Sequence, residues 1–106
     1  SPPGPAVLAV AEVRRAPADE RWCENVTVEF RNTGGSAVRS GTVLFGTHII
    51  GALGVDWATI DSTQPLPAPI AAGAARTTTY RVCVDAWRVP LGMRVETQDV
   101  RAKHPS

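Results

Sequence analysis

The stretch VTVEFRNTGGSAV, residues 26–38, carries the strongest structural signal in the chain. Val26, Val28 and Phe30 alternate with Thr27, Glu29 and Arg31, the period of two that a β-strand shows when one face is buried and the other is wet. The alternation stops at Asn32-Thr33-Gly34-Gly35, residue types that tolerate positive φ and let a chain change direction. Apolar residues resume at Ala37 and Val38. The pattern predicts a strand over 24–32, a turn at the Asn-Thr-Gly-Gly run, and a second strand over 38–47 with Val43 and Phe45 on one face.

Similar signals lie on both sides. Residues 7–13 are short, β-branched and followed by a proline, and read as a first strand. RTTTYRVCVD, residues 76–85, puts Thr78, Tyr80, Val82 and Val84 on one face and Thr77, Thr79, Arg81 and Cys83 on the other. A last strand over 93–100 follows the turn signal Pro90-Leu91-Gly92. Nine glycines and nine prolines leave few windows long enough for a helix. Residues 48–72, HIIGALGVDWATIDSTQPLPAPIAA, show no stable period, and Pro65, Pro67 and Pro69 impose an extended path. They are expected to form a long sheet-to-sheet connection with at most a short strand near 55–60. The set specifies an all-β protein, an antiparallel immunoglobulin-like β-sandwich of about six or seven strands.

At 106 residues there is room for one core, and with only 6% aromatic residues that core rests on Val, Ala, Leu and Ile. The formal net charge is +1 and the arginines are scattered from Arg14 to Arg101, which argues against nucleic acid or an anionic membrane as partner. No apolar run reaches the roughly 18 residues of a membrane span, so no membrane insertion of this segment is expected. Residues 1–5, Ser-Pro-Pro-Gly-Pro, read as the end of a stiff linker, residues 6–100 as the sandwich domain, and residues 101–106 as a polar tail. Cys23 and Cys83 flank predicted core strands and have no zinc-type spacing. A disulfide is expected, with two free thiols as the alternative. A bridge would place the protein outside the cytoplasm, secreted or on the cell surface.

The Val26–Val38 stretch, followed later by PIAAGAARTTTYRV (residues 69–82), resembles the bacterial NTG-type immunoglobulin-like domains, including the cell-adhesion-related ones. The resemblance covers roughly residues 26–84 and implies a β-sandwich in which Gly34 and Gly73 turn the chain tightly into strands. The same pieces have a weaker similarity to family 2 carbohydrate-binding modules, which share the Asn-Thr-Gly turn and the Ile70-Ala71-Ala72-Gly73 turn. That likeness implies stacking of sugar rings on tryptophans, with Trp57 matching the mid-chain one. The Gly-Trp that usually follows the turn in those modules is Ser40-Gly41 here.

Reactive chemistry is sparse. His48 and His104 are the two histidines, and no nucleophile-elbow pattern accompanies a serine that could join His48 and Asp56, Asp61 or Asp85 in a triad. Paired carboxylates would need a cleft that a small sandwich is not expected to offer. No ligand spacing points to a metal, and no motif to a cofactor. The reading is of a non-enzymatic module. Trp22 and Trp87 border the cysteine strands and are expected to plug the sandwich ends over the bridge, whereas Trp57, beside Asp56, is the first candidate for a ligand contact. The function expected is that of an extracytoplasmic module that spaces or docks partners through a protein surface. The alternative is a polysaccharide surface bound on exposed Trp57, Trp22 and Trp87.

Overall fold

A computed structural model describes residues 4–105. Six strands carry the fold: β1 (Leu8–Pro17), β2 (Cys23–Asn32), β3 (Thr42–Ile50), β4 (Asp56–Pro65), β5 (Ala75–Cys83) and β6 (Arg94–Lys103), with one 3-10 turn at Ala86–Arg88. All pairings are antiparallel. One sheet has the order β1-β2-β5 and the other β4-β3-β6, and the two pack as a sandwich. The expected all-β antiparallel sandwich is what the chain adopts.

The alternation that identified β2 is its core face: Val26, Val28 and Phe30 are fully buried, with Tyr80 and Val82 of β5 beside them. Val43 and Phe45 of β3 close over these from the facing sheet. The Phe45 and Tyr80 rings meet edge to face at 5.2 Å between centroids. The Tyr80 hydroxyl donates to the Pro65 carbonyl at 2.8 Å, and burial raises its pKa above the ordinary phenol value.

Directly opposed residues share a face, so the register fixes what points inward. On β1 these are Leu8, Val10, Val13, Arg15 and Pro17, with Ala11 as the extra residue of a bulge. Thr47 of β3, Thr97 of β6 and Glu24 of β2 are inward too, and they cut the core into two clusters. The larger holds Val26, Val28, Phe30, Val43, Phe45, Tyr80 and Val82, with Leu8 and Val10 packed against it. The smaller, at the other end of the strands, holds Ile49, Val84, Val89 and Val95, with Trp22 packed against it. Between them Glu24 accepts the Thr97 N–H at 2.7 Å and an Arg15 N–H at 3.1 Å, and the Thr47 and Thr97 hydroxyls bond at 3.0 Å. These buried polar groups are partnered, as buried polar groups must be to be tolerated.

Three expectations need correction. The Asn-Thr-Gly-Gly run does not work through positive φ, because neither Gly34 nor Gly35 has it. Gly34 is needed for close approach, since a Cβ there would overlap the Pro5 carbonyl and the Val7 nitrogen. Asn32 is fully buried and acts as a four-way tie. Its Oδ1 accepts from Val7 N (3.2 Å) and Gly34 N (3.0 Å), and its Nδ2 donates to the Ser36 (2.8 Å) and Ile70 (3.1 Å) carbonyls. Second, β3 starts at Thr42 and not at Val38, which instead forms an isolated bridge to Ile70. Third, residues 48–72 are not one long connection. β3 runs on to Ile50, β4 occupies Asp56–Pro65, and only the piece after Pro65 crosses between sheets.

β1 reaches past its expected end to Pro17, β5 starts one residue early but stops at Cys83, short of the expected Asp85, and β6 continues through Lys103. Of the linker-like opening, Ser1, Pro2 and Pro3 lie outside the described residues, as does Ser106. Gly4 and Pro5 pack on the turn, where the Ser36 hydroxyl donates to the Gly4 carbonyl and Gly35 N to that of Pro5. The strand register gives the molecule a base, where β1 begins and β6 ends beside Asn32 and Thr42, and a tip, where the 18–22, 51–55 and 84–93 connections gather.

Candidate functional site

Most of the exposed large hydrophobic side chains among the described residues gather at the tip, Val7 and Val13 being the two elsewhere. Leu53 is 92% exposed, Leu91 86%, Trp87 73%, Trp57 68% and Val55 50%. Turn chemistry explains how the two leucines come to stand in water. In the β3–β4 hairpin Gly54 N bonds to the Gly51 carbonyl and Gly51 N to that of Val55, and Gly54 takes φ +79°. This is a tight turn closed by a left-handed glycine, with Leu53 at its crest. In the β5–β6 connection Met93 N bonds to the Pro90 carbonyl and Gly92 takes φ +89°, which leaves Leu91 at a crest of the same kind. Neither turn needs a leucine for its geometry.

Trp57 owes its position to a bulge. Ile49 pairs with Ala58 and Ile50 with Asp56, so Trp57 is the unpaired extra residue of β4. A Cβ on Gly51 would overlap the indole Nε1, so the glycine gives the ring its room. Trp87 stands on the 3-10 turn, where the Arg88 guanidinium lies 4.5 Å over its ring and 3.6 Å from Asp85. The two indoles wall one hollow of about 360 Å³, floored by Ile49, Ala58, Pro90 and Met93 and charged only at Arg88.

Trp22 is half-buried against Val84 and Val89 with Arg21 stacked 5.4 Å from its centroid, and it closes the smaller core cluster as expected of a plug. Trp87 does not. It sits beyond the end of β5 on a turn with no buried residue, so the expectation that it covers the bridge is wrong. Of the expected contact residues, Trp57 and Trp87 come together and Trp22 stays apart. Cys23 and Cys83 are joined, directly opposed on β2 and β5 with Cα atoms 4.0 Å apart. The bridge lies within one sheet.

Asp56 faces His48. The imidazole Nδ1 meets the Asp56 carboxylate at 2.5 Å and the Thr59 hydroxyl at 3.1 Å, and Nε2 meets Asp99 at 3.3 Å. The cluster ties β4, β3 and β6 across the outer face of their sheet. Hydrogen bonding to Asp56 raises the His48 pKa above 6.5, opposed by desolvation and helped by Asp99. The hydroxyl bonded to the imidazole is a threonine on the same nitrogen as the carboxylate, which is not the geometry of an activated nucleophile. Among the described residues no group of three or more His, Cys, Asp or Glu is arranged to hold a metal ion.

A cleft of about 510 Å³, absent from the sequence expectation, opens between the end of β1 and the start of β6. Arg15 and Pro17, on the inward face of β1, line it, where no large apolar side chain fills the space. Its inner carboxylate, Glu24, is already bound to Thr97 and Arg15.

Sequence reasoning passed over Leu53 and Leu91. The signal was present: each is an isolated leucine directly before a turn glycine, a position where burial is not available. Comparison of the chain with protein-family models, with curated proteins and with solved structures finds no match.

Proposed function

We propose that this domain is a non-catalytic docking module whose contact surface is its tip. The observation that carries the proposal is the convergence of two exposed indoles and two crest leucines on one end of the sandwich. Contiguous apolar surface on a small protein marks interaction sites, and Trp is the commonest energetic anchor in them. The hollow offers one charged group, Arg88, and otherwise receives apolar side chains, which suits a protein partner. The intrasheet disulfide supports work in an oxidising, extracytoplasmic setting. The sandwich and the Asn-Thr-Gly resemblance fit a module of the immunoglobulin-like kind.

Polysaccharide binding is the second reading, favoured by the adjacency of Trp57 and Trp87, whose ring faces could stack on sugars. One experiment addresses both. A dye that fluoresces on apolar surface, such as anilinonaphthalene sulfonate, is titrated into the folded protein, and retention on cellulose and chitin is measured in parallel. The docking reading expects dye fluorescence that falls at least severalfold in Trp57→Ala and Trp87→Ala, with no retention on either polymer. Loss of one such anchor is worth about 2 kcal/mol in a protein interface. Retention abolished by Trp57→Ala establishes the polysaccharide reading instead, and absence of both signals removes the tip as a site.

A further inference from the structure

The Cys23–Cys83 bridge presents its two halves unequally. Cys83 is the last residue of β5, an edge strand, and is exposed. Cys23 opens β2, the middle strand of the same sheet, and is only 4% exposed. Val82 and Val84, on either side of Cys83, are buried in the core, so the alternation of the strand puts the bridge on the outer face of the sheet. We propose that the bridge is a thiol-exchange site of fixed polarity: the thiolate of a low-molecular-weight thiol attacks the Cys83 sulfur, and Cys23 is the leaving group.

Access decides which sulfur is attacked. The incoming thiolate enters opposite the sulfur that departs, along the line of the bond. That bond joins β2 to β5, so its line extended past Cys83 leaves the sheet over the free edge of β5. Extended past Cys23, it runs toward the side of β2 that β1 occupies, where the turn before β2 is closed by Cys23 N bonding to the Glu20 carbonyl at 3.0 Å. Arg81 gives the same polarity independently. Its Nη2 donates to the Cys23 sulfur at 3.6 Å and is anchored there by the Glu20 carboxylate. A cationic donor beside a sulfur stabilises its thiolate, which makes Cys23 the better leaving group.

The exchange balances without an oxidant or reductant. The electron pair of the thiolate forms a new S–S bond to Cys83, the Cys23–Cys83 bond breaks, and its electron pair leaves on the Cys23 sulfur beside Arg81. One disulfide and one thiolate go in, and one of each comes out, so an oxidising, extracytoplasmic setting permits the step. Cys23 can attack Cys83 again, expelling the small thiol and restoring the bridge, so the adduct is reversible. The fold tolerates the open state because the bridge lies within one sheet. The β2–β5 ladder runs on from it, and on its other side Val84 N bonds to the Trp22 carbonyl at 2.9 Å.

Brief exposure of the folded, disulfide-intact protein to 2-mercaptoethanol, an uncharged probe thiol, tests the proposal. The reaction is quenched with excess N-ethylmaleimide, which caps whichever sulfur has left, and the adducts are located by peptide mass mapping. Mercaptoethanol on Cys83 with maleimide on Cys23 is expected to exceed the reverse arrangement severalfold. In denaturant both sulfurs are open, and the preference is expected to fall to near parity. Arg81→Ala, with folding checked by circular dichroism, is expected to slow the exchange severalfold, and Arg81→Lys to restore part of the rate. Equal labelling of the two cysteines in the folded protein overturns the inference, as does a preference for Cys23. Absence of any adduct without denaturant, a preference that survives denaturation, or a rate indifferent to Arg81→Ala overturns it as well.

Discussion

Asn32 does at one position what several loops would otherwise have to do separately. Its amide saturates four backbone groups belonging to the opening segment, the Gly34 turn and the crossover at Ile70. Its own N–H and carbonyl bond to Ala74 and Gly73. Asn32→Ala removes the side-chain partners of buried groups without supplying others, and each orphan costs about 1–3 kcal/mol. Because some of them regain water, the expected loss is about 2–4 kcal/mol, read from the urea midpoint. Asn32→Asp is expected to be nearly as harmful, since a carboxylate cannot donate to Ser36 and Ile70. The sequence showed that something happens at Asn-Thr-Gly-Gly, but it could not show that the amide, rather than a glycine torsion, is what matters. Two of the groups its side chain binds, Val7 N and the Ile70 carbonyl, are far away in the chain.

Among the elements, legibility tracked depth of burial. β2 and β5 sit where one face is sealed, and their alternation is sharp. β4 is an edge strand whose inward residues, Ala58, Ile60, Ser62 and Gln64, are only half-covered, so selection for apolar side chains is relaxed and the period fades. The second half of β1 failed for a related reason, because its inward Arg15 and Pro17 face Glu24 instead of an apolar core. Bulges hid the rest. The exposure of Trp57 depends on an extra residue in β4, and no local pattern announces it.

The three strands of that sheet also share a titratable tie. His48 on β3 is held between Asp56 on β4 and Asp99 on β6, with Glu96 of β6 opposite it in register. The folded-state pKa is raised above the unfolded value near 6.5, so the stabilisation is fully present below that value and is lost as pH rises through the folded one. Nuclear magnetic resonance titration of the imidazole is expected to give a midpoint above 6.5. The melting-temperature difference between wild type and His48→Gln is expected to be largest on the acidic side of neutrality and to shrink in mild alkali. A constant difference across that range would assign His48 a purely steric role.

For the molecule as a whole, the disulfide and the core divide the task of holding the chain. The bridge ties neighbouring strands of one sheet and closes a loop of 60 residues, whereas contact between the sheets is left to side chains: Phe45 against Tyr80, Glu24 to Thr97, the Tyr80 hydroxyl to Pro65. Reduction and alkylation are expected to cost about 4 kcal/mol by the chain-entropy relation for such a loop. The sandwich is expected to keep its far-ultraviolet spectrum while unfolding at lower denaturant. Collapse of that spectrum under native conditions would show that the two core clusters cannot hold the sheets alone.

The base-to-tip polarity of the strands has a mechanical corollary. β1 starts and β6 finishes at the same end, roughly 30 Å from the opposite end for strands of ten residues. A tether attached through either terminus therefore pulls on the base and leaves the indoles pointing away from the anchorage, like the head of a pin.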